Sequence, residues 1–256
     1  MRFFIDVSDK RNLVVKQTLG SLGYIVKVYD EKILDYKNTD VLVFSPAKKF
    51  LPLEVESLPN DIMLFAGASI EKYKDVIKRK NIKYINIMDD EIFTIKNANL
   101  TAEGVLALIL EKSERSIFKN KVLLLGSGRI TKACAMLFAK LGVKYAIASY
   151  TFEDYQKCYS FCDECYLKEE WVNALNEFDV VVNTRPFKFI DENIINKFAK
   201  NTILIETASV DCLDSSLVKN FTFVHAQALP MRYASQTAGE YMTERILKEI
   251  EWCLKI

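Results

Sequence analysis

A short glycine turn, Gly126-Ser127-Gly128, carries the clearest chemical signal in this sequence of 256 residues. It follows the apolar run VLLL and precedes a helical segment, an arrangement in which backbone amides at a helix start face a pyrophosphate. Gly126 permits the tight turn, and Gly128 removes a Cβ from the path of the phosphates. Thr131 stands where the G-x-G-x-x-G pattern has its third glycine, which weakens the match. We therefore predict dinucleotide binding here; the alternative is a scaffold of the same shape that has lost its ligand.

Later strand ends supply residues that could line the same site. The strand after the glycine turn ends at Ser149 and Tyr150, with no acidic residue to accept from a ribose 2′-hydroxyl and no arginine beside it for a 2′-phosphate. The missing acid favours NADP slightly over NAD, and both stay open. NTRP (183–186) and ETAS (206–209) end strands at the same sheet edge and could face the nicotinamide half; each could equally be a plain strand-ending turn.

Three cysteines in CYSFCDEC, Cys158, Cys162 and Cys165, have the C-x3-C-x2-C spacing with which radical enzymes hold a four-iron cluster. The string falls in the helix after the second strand and opens the next strand, where a free cysteine behaves as a small apolar residue. A zinc site would lack a fourth ligand, because the only histidine is His225. We therefore predict packing and no metal. His225 lies in an apolar strand, which favours a satisfied histidine near the core over an acid–base catalyst.

The whole chain alternates apolar strands with helical segments, a pattern typical of an α/β protein whose parallel sheets are covered on both faces. The net charge of +1 gives no reason to expect a nucleic-acid partner. No apolar run approaches the roughly 18 residues of a membrane span, so we predict no membrane partner. The charged amino terminus has no secretory signal, and we predict a cytoplasmic protein.

Two helices organise the predicted chain. A connecting helix over residues 97–118 would be capped by Asn99 or Thr101, with Glu103 near the positive end of its dipole. The last helix, from Thr237, carries the capping-box sequence TAGE. Its apolar positions would pack it back on the body of the protein: Tyr241, Met242, Ile246, Ile250 and Cys253.

Three strings, NANLTAEGVLALIL, VLLLGSGRITKACAMLFAKLGVK and AQALPMRYASQTAGE, together resemble the A subunit of dipicolinate synthase from spore-forming bacteria, a Rossmann-fold relative of the 2-hydroxyacid dehydrogenases. The resemblance is firm from residue 95 to the end and fainter before it. It implies two lobes with the active cleft between them. A small flavodoxin-like lobe would span residues 1–95, with the C-terminal helix 235–256 packed on it, and a Rossmann NAD(P)-binding lobe with the connecting helix would span residues 96–234.

The resemblance also implies a function, the oxidation of dihydrodipicolinate to dipicolinate with NADP or NAD during sporulation, together with a flavoprotein-like second subunit. The residues expected at the coenzyme are Gly126, Ser127, Gly128, Arg129, Ile130, Ser149, Tyr150, Asn183, Thr184, Arg185, Thr207 and Ala208; those expected to line the cleft and act on the substrate are Asn99, Thr101 and Glu103. A homodimer is the ordinary expectation for such lobes. The alternatives are a non-catalytic dinucleotide-binding protein with an accessory or sensor role, and a 2-hydroxyacid dehydrogenase-like enzyme of another substrate.

Three positions depart from the family pattern. Val210 stands where an arginine follows Ala-Ser, Met231 where a glycine follows Leu-Pro, and Gln236 where a lysine precedes Thr-Ala-Gly. A dicarboxylate substrate needs cationic partners, so these changes put the substrate in doubt more than the fold. Other cations could take their place: Arg11, Arg185 or Arg232.

Overall fold

A computed structural model describes residues 1–29, 38–218 and 221–254, the last two without their side chains. The chain divides into two compact units, one of residues 1–97 with the segment from Pro230, and one of residues 98–229. Both units combine helices with an all-parallel sheet, so the predicted α/β class is confirmed. The domain boundaries given by the sequence stay a prediction. No helix in the described ranges has the length and apolar composition needed to cross a bilayer.

The strands and α-helices are numbered in chain order. The strands are β1 (Arg2–Ile5), β2 (Ile25–Val28), β3 (Val41–Val43), β4 (Met63–Ala66), β5 (Lys83–Asn86), β6 (Lys121–Leu125), β7 (Lys144–Ser149), β8 (Cys165–Leu167), β9 (Val180–Asn183), β10 (Ile203–Glu206) and β11 (Thr222–His225). The helices are α1 (Lys10–Ser21), α2 (Pro52–Ser57), α3 (Lys74–Arg79), α4 (Glu91–Lys112), α5 (Arg129–Leu141), α6 (Phe152–Tyr159), α7 (Glu192–Ile195), α8 (Leu229–Tyr233) and α9 (Ser235–Leu254).

The first unit contains a five-stranded sheet in the order β2-β1-β3-β4-β5. This is the flavodoxin-like order, so that prediction is confirmed. Successive residues of β1 enter different cores: Phe3 and Ile5 join the cluster that includes α1 and α9, whereas Phe4 joins the cluster that includes α2 and α3. Because both faces of each strand are buried, the strands read as continuous apolar runs in the sequence.

The second unit contains a six-stranded sheet in the Rossmann order β11-β10-β9-β6-β7-β8. Strand β6 pairs with β7 on one side and with β9 on the other, so the winding direction of the chain reverses beside β6. Val122 and Leu124 pack in the core with α4 and α5, and Leu123 and Leu125 pack in the core on the opposite face. The carboxyl ends of β6, β7 and β9 therefore lie side by side.

The connecting helix begins earlier than predicted. α4 starts directly after Asp90, whose carboxylate accepts a hydrogen bond from the Phe93 amide at 2.8 Å. Asn99 and Thr101 therefore lie in the helix interior and do not cap it, and Glu103 lies more than three turns past the positive end of the dipole. The apolar stripe already includes the buried Phe93, and nothing in the following residues interrupts it.

The last helix also begins earlier than predicted. α9 starts at Ser235, so Thr237 lies inside it and does not serve as its N-cap. Gly239 is required where α9 meets α1, because a Cβ there would lie 2.5 Å from Val14 Cβ. The side chain of Cys253 lies outside the described residues. The predicted packing of the helix is confirmed at four positions: Tyr241, Met242, Ile246 and Ile250.

The three cysteines pack in the second unit, as predicted. Cys158, near the end of α6, and Cys162, just past it, are 1% and 5% exposed and belong to the core, and Cys165 packs against that core. Burial raises the pKa of the Cys165 thiol to about 12, which keeps it protonated and a poor metal ligand near neutral pH. In the part of the chain that the structure describes, no group of three or more His, Cys, Asp or Glu side chains could hold a metal ion.

The prediction that His225 lies near the core is wrong. β11 is the edge strand of the second sheet, and the His225 side chain is 56% exposed. Its Nδ1 lies 3.3 Å from a carboxylate oxygen of Asp211, and the Phe223 ring packs edge-on against it. An apolar run in an edge strand does not guarantee that its last residue is covered.

Candidate coenzyme site

The glycine turn lies between β6 and α5 at the carboxyl edge of the second sheet. Gly126 has a φ of +125°, a conformation that residues with a Cβ rarely adopt. Its amide donates to the Ala148 carbonyl at 2.9 Å, and a Cβ would lie 2.2 Å from Thr184 Oγ1. Gly128 has an ordinary φ of −77°, and a Cβ there would meet no atom within 4 Å. Gly126 is thus required by the fold, whereas Gly128 borders open space.

Thr131 occupies the position of the missing third glycine without opening the turn. It lies in the first turn of α5, is fully buried, and places its hydroxyl 3.0 Å from Thr184 Oγ1. Thr184 in turn donates to the Leu125 carbonyl at 3.0 Å. The two hydroxyls hold the start of α5, the end of β6 and the loop after β9 together, so this departure from the pattern is accommodated.

A cavity of about 290 Å³ opens beside the turn. The amides of the first turn of α5 have no partners within the helix and lie at the same edge. Six residues predicted to bind the coenzyme line this cavity together with two that were not predicted: Gly126, Ser127, Gly128, Tyr150, Thr184 and Arg185, with Pro186 and Phe187.

Arg185 reaches the end of β7 from the loop that follows β9. Its Cγ lies 3.4 Å from where a Cβ of Gly126 would be, and its guanidinium carbon lies 5.1 Å from the centre of the Tyr150 ring. Phe187 and Phe189 pack against the same guanidinium at 4.7 and 4.2 Å. The expectation that no arginine stands beside this strand end is therefore wrong. Only β6 separates β7 from β9, and a long side chain spans it.

The guanidinium of Arg185 is buried among aromatic rings. The residue is 9% exposed, and within the described residues its side chain makes no hydrogen bond or ion pair. Burial lowers the pKa of Arg185, and the charge of the exposed Glu169 opposes that shift. Aromatic rings stabilise the cation but offer its N–H groups no strong acceptor. This wall of the cavity is therefore suited to an anionic group.

Asn183, predicted to lie beside the coenzyme, faces the interior instead. It is fully buried, and its amide donates to both carboxylate oxygens of Glu206 at 2.9 Å. Glu206 also accepts from the backbone amides of Ala208 and Cys212 at 2.8 Å. Burial raises the pKa of Glu206, and these donors oppose the shift. The network ties β9 to the loop after β10 and fixes the backbone from which the cavity wall projects.

The other predicted coenzyme residues lie near the turn but do not line the cavity. Ser149 is 1% exposed, and its hydroxyl lies 3.4 Å from the Cys158 sulfur. The Thr207 hydroxyl donates to the carbonyl of the last residue of β9 at 2.7 Å. Ile130 packs against the core, and Arg129 is the exposed first residue of α5. These side chains support the turn, with Arg129 left at its solvent side.

The three residues expected to act on the substrate divide between two sides of α4. Asn99 and Glu103 are exposed and four residues apart, so they are neighbours on one side of the helix. Thr101 is 6% exposed and lies on the buried side. The structure thus brings Asn99 and Glu103 together and separates Thr101 from them.

No family model matches this chain. The A subunit of dipicolinate synthase from Bacillus subtilis (strain 168) is 20% identical over 204 residues, which cover 77% of this chain and 68% of that protein. The crystal structure of the same subunit from Bacillus halodurans superposes with a TM-score of 0.85 at 19% identity, covering 96% of both chains. The chain resembles the A subunit of dipicolinate synthase.

Two further structures support the same fold. The crystal structure of the Bacillus subtilis dipicolinate synthase A subunit superposes with a TM-score of 0.83 at 17% identity, over 98% of this chain and 97% of that one. The transhydrogenase from Sinorhizobium meliloti superposes with a TM-score of 0.74 at 13% identity, over 99% of this chain and 94% of that one. The arrangement of two parallel sheets is therefore shared with dipicolinate synthase and with Rossmann-type relatives.

The three arginines expected to replace the cations of the dipicolinate synthase pattern have different surroundings. Arg11 is buried and pairs with Asp9, its Nη2 lying 2.6 Å from a carboxylate oxygen. Arg185 lines the cavity beside the glycine turn. Arg232 is exposed, with its guanidinium carbon 4.9 Å from the centre of the Tyr233 ring. The charge of Arg11 is neutralised within the fold, so Arg11 is a poor candidate for binding a substrate carboxylate.

Sequence analysis missed the aromatic support of Arg185 and the buried carboxylate of Glu206. The string RPFKF contains a signal for the first, since aromatic residues at alternate positions after a strand end can flank one neighbour. The string TILIE contains a signal for the second, because a carboxylate that ends an apolar strand must find donors if it is buried.

Proposed function

We propose that this chain binds a nicotinamide dinucleotide at the glycine turn and acts as an oxidoreductase similar to the A subunit of dipicolinate synthase. The observation that carries the proposal is the cavity bordered by Gly126, Gly128 and Arg185 at the start of α5. Backbone amides, an open glycine and a buried cation occur there together, and all three suit a dinucleotide phosphate.

The place of the cavity in the sheet supports the proposal. Ligands of open α/β sheets bind outside the carboxyl ends of the strands, where the strand order reverses. In the second unit that reversal lies between β6 and β9. The loops after these two strands supply Gly126, Ser127 and Gly128 from β6, and Thr184 and Arg185 from β9.

Each part of the turn has a defined task in the proposal. Gly126 sets the path of the backbone, and Gly128 leaves room for phosphate oxygens where a Cβ would otherwise project. The free amides at the start of α5 donate to those oxygens, and the helix dipole adds to the attraction. The bound coenzyme would supply the capacity to accept hydride.

We extend the proposal to a small dicarboxylate substrate, dihydrodipicolinate, which would be oxidised to dipicolinate. The support is the sequence likeness to the Bacillus subtilis dipicolinate synthase subunit. Glu103 would take the proton as an exposed carboxylate on α4, and Asn99, one turn before it on the same side, would orient the substrate. The relative is named as one subunit of a synthase, so we also propose a flavoprotein-like partner subunit, with a homodimer of this chain.

A second candidate is a dinucleotide-binding subunit without catalytic activity of its own. The observation that favours it is the pairing of Arg11 with Asp9, which removes one of the cations available for a dicarboxylate. Coenzyme binding is common to both candidates, and turnover separates them.

The first experiment measures binding of NADPH and NADH to the full chain by nucleotide fluorescence. Gly128→Ala places a methyl group in the open space beside the turn, while the loss of N-cap quality costs the fold only about 1 kcal/mol or less. We expect this variant to lose affinity for both nucleotides at least tenfold. Gly20→Ala, where a Cβ also meets no atom within 4 Å, is the matched control and should bind as the wild type does. Failure of the wild type to bind either nucleotide would refute the proposal.

The second experiment follows formation of the reduced coenzyme with dihydrodipicolinate, with and without a dipicolinate synthase partner subunit. Glu103→Gln should retain nucleotide binding and lose most of the turnover, because the amide cannot accept the proton. Asp163→Asn, which changes another exposed carboxylate of the same unit, is the control. Nucleotide binding by the wild type without turnover under either condition would support the non-catalytic candidate.

A further inference from the structure

A buried, positively charged side chain lies where the coenzyme's adenosine ribose would be read. In Rossmann folds, the residues that end the second strand of the fold contact the ribose hydroxyls. That strand is β7 here, and Tyr150 is the first residue after it, with its side chain largely exposed on the cavity wall. The first carboxylate beyond it, Glu153, pairs with Lys157 at 2.6 Å. A carboxylate acceptor for the 2′-hydroxyl is thus missing from this strand end.

Arg185 fills that position from another strand. Its stem passes the glycine turn beside Gly126, and its guanidinium ends over Tyr150, with Phe187 and Phe189 as further supports. The residue is nine-tenths buried and lines the cavity. Three rings against one guanidinium fix the orientation of a side chain that would otherwise be flexible, which lowers the entropic cost of binding an anion.

The partners of this guanidinium are incomplete. Within the described residues it has no hydrogen bond or ion pair, although the exposed Glu169 acts on it through charge. A buried cation with unused N–H donors gains most from a compact anion that accepts two of them at once, and a phosphate monoester does so. The diphosphate of the coenzyme is expected at the start of α5, so the anion beside Tyr150 is a different one.

We propose that Arg185 binds the 2′-phosphate of the adenosine ribose and makes the protein select NADP(H) over NAD(H). This inference depends on the proposed coenzyme binding at the glycine turn and adds the identity of the coenzyme. Tyr150 positions the guanidinium, and the space beside the ring admits the ribose. The sequence alone left NADP and NAD open because Arg185 is 35 positions beyond Tyr150 in the chain.

The test compares the dissociation constants of NADPH and NADH, and of the probes 2′,5′-ADP and 5′-ADP, for the full chain and its variants. Arg185→Met keeps much of the length and the packing among the rings but removes the charge. We expect about a 30-fold or greater loss of affinity for NADPH and 2′,5′-ADP, with NADH and 5′-ADP changed less than about threefold. Arg185→Lys, which retains the charge without the planar fork, should recover part of the loss.

A second variant keeps the test decisive if Arg185→Met folds poorly. Tyr150→Asp changes an exposed residue and supplies the carboxylate that the strand end lacks. It should weaken NADPH by repulsion of the 2′-phosphate and strengthen NADH by accepting from the 2′-hydroxyl. Equal losses for NADPH and NADH in Arg185→Met, or wild-type binding of NADH as tight as that of NADPH, would overturn the role of Arg185 while coenzyme binding stands. Absence of binding of all four ligands would overturn both proposals.

Discussion

Replacing Gly126 by alanine tests whether the glycine turn is required by the fold as well as by the ligand. The substitution adds a Cβ to a residue with a φ of +125° and places it 2.2 Å from Thr184 Oγ1. Two separate penalties follow, one from the backbone conformation and one from the contact. Only the second depends on the hydroxyl of Thr184, so the two can be measured apart.

The magnitudes follow from the geometry. A backbone conformation that glycine alone adopts readily costs alanine about 1–3 kcal/mol. A methyl group forced into occupied space costs about 1–3 kcal/mol more, so Gly126→Ala should lower the free energy of unfolding by about 2–6 kcal/mol. Thr184→Ala alone removes the hydrogen bonds to the Leu125 carbonyl and the Thr131 hydroxyl, each 3.0 Å long, at a cost of about 1–3 kcal/mol. The double variant should be more stable than the sum of the single effects predicts by about 1–3 kcal/mol, because the collision is gone.

The measurement is a double-mutant cycle by urea unfolding of the full chain, monitored by circular dichroism. Gly128→Ala is the internal comparison, because its Cβ meets no neighbour and its stability should stay within about 1 kcal/mol of the wild type. Additivity of Gly126→Ala and Thr184→Ala within about 0.5 kcal/mol would show that the two residues do not collide. A Gly126→Ala variant as stable as the wild type would refute the whole account of the turn.

Three more outcomes can be stated. Gly239→Ala should cost about 1–3 kcal/mol in urea unfolding, because its Cβ would lie 2.6 Å from the Arg11 carbonyl, whereas Gly20→Ala, with no atom within 4 Å, should not destabilise. Asp9→Asn should cost about 3–5 kcal/mol at neutral pH by leaving Arg11 buried and unpaired. Burial alone would raise the pKa of Asp9, but the hydrogen bonds and charge of Arg11 lower it overall; its contribution is therefore complete above about pH 5 and lost as the pH falls through the lowered pKa, so acid titration should close the gap between wild type and variant. Thr131→Gly, which restores the third glycine of the pattern, should cost about 2–3 kcal/mol and should not tighten NADPH binding.

The parts of the fold that depend on local signals could be predicted from the sequence. The continuous apolar runs indicated parallel sheets, and the strand–turn–helix around Gly126 indicated the place of the cavity. Helix starts were less accessible. Asn99 and Thr237 are good capping residues by type, yet both lie inside helices because the apolar stripe that packs each helix extends upstream of them.

Contacts between distant strand ends could not be predicted from neighbouring residues. Arg185 belongs by sequence to the end of β9 but by position to the end of β7, and its length allows it to cross the intervening strand. Asn183 was expected at the coenzyme for the same reason that Arg185 was overlooked at the ribose: the sequence shows that a strand ends, and not which way each side chain turns. Here the buried Glu206 draws the Asn183 amide inward.

The departure from the third glycine shows how a motif can change without losing its geometry. In the G-x-G-x-x-G pattern the third glycine allows close packing of helix and strand. Here Thr131 is buried at that place and bonds to Thr184, whose hydroxyl also occupies the space that a Cβ at Gly126 would need. Gly126 thus permits Thr184, and Thr184 satisfies Thr131, so the three residues form one packing unit. A pattern that scores each position separately counts Thr131 as a loss, whereas the contacts show that it replaces a close approach with a hydrogen bond. The coenzyme-facing surface, at Gly128 and Arg185, is left unchanged by this exchange.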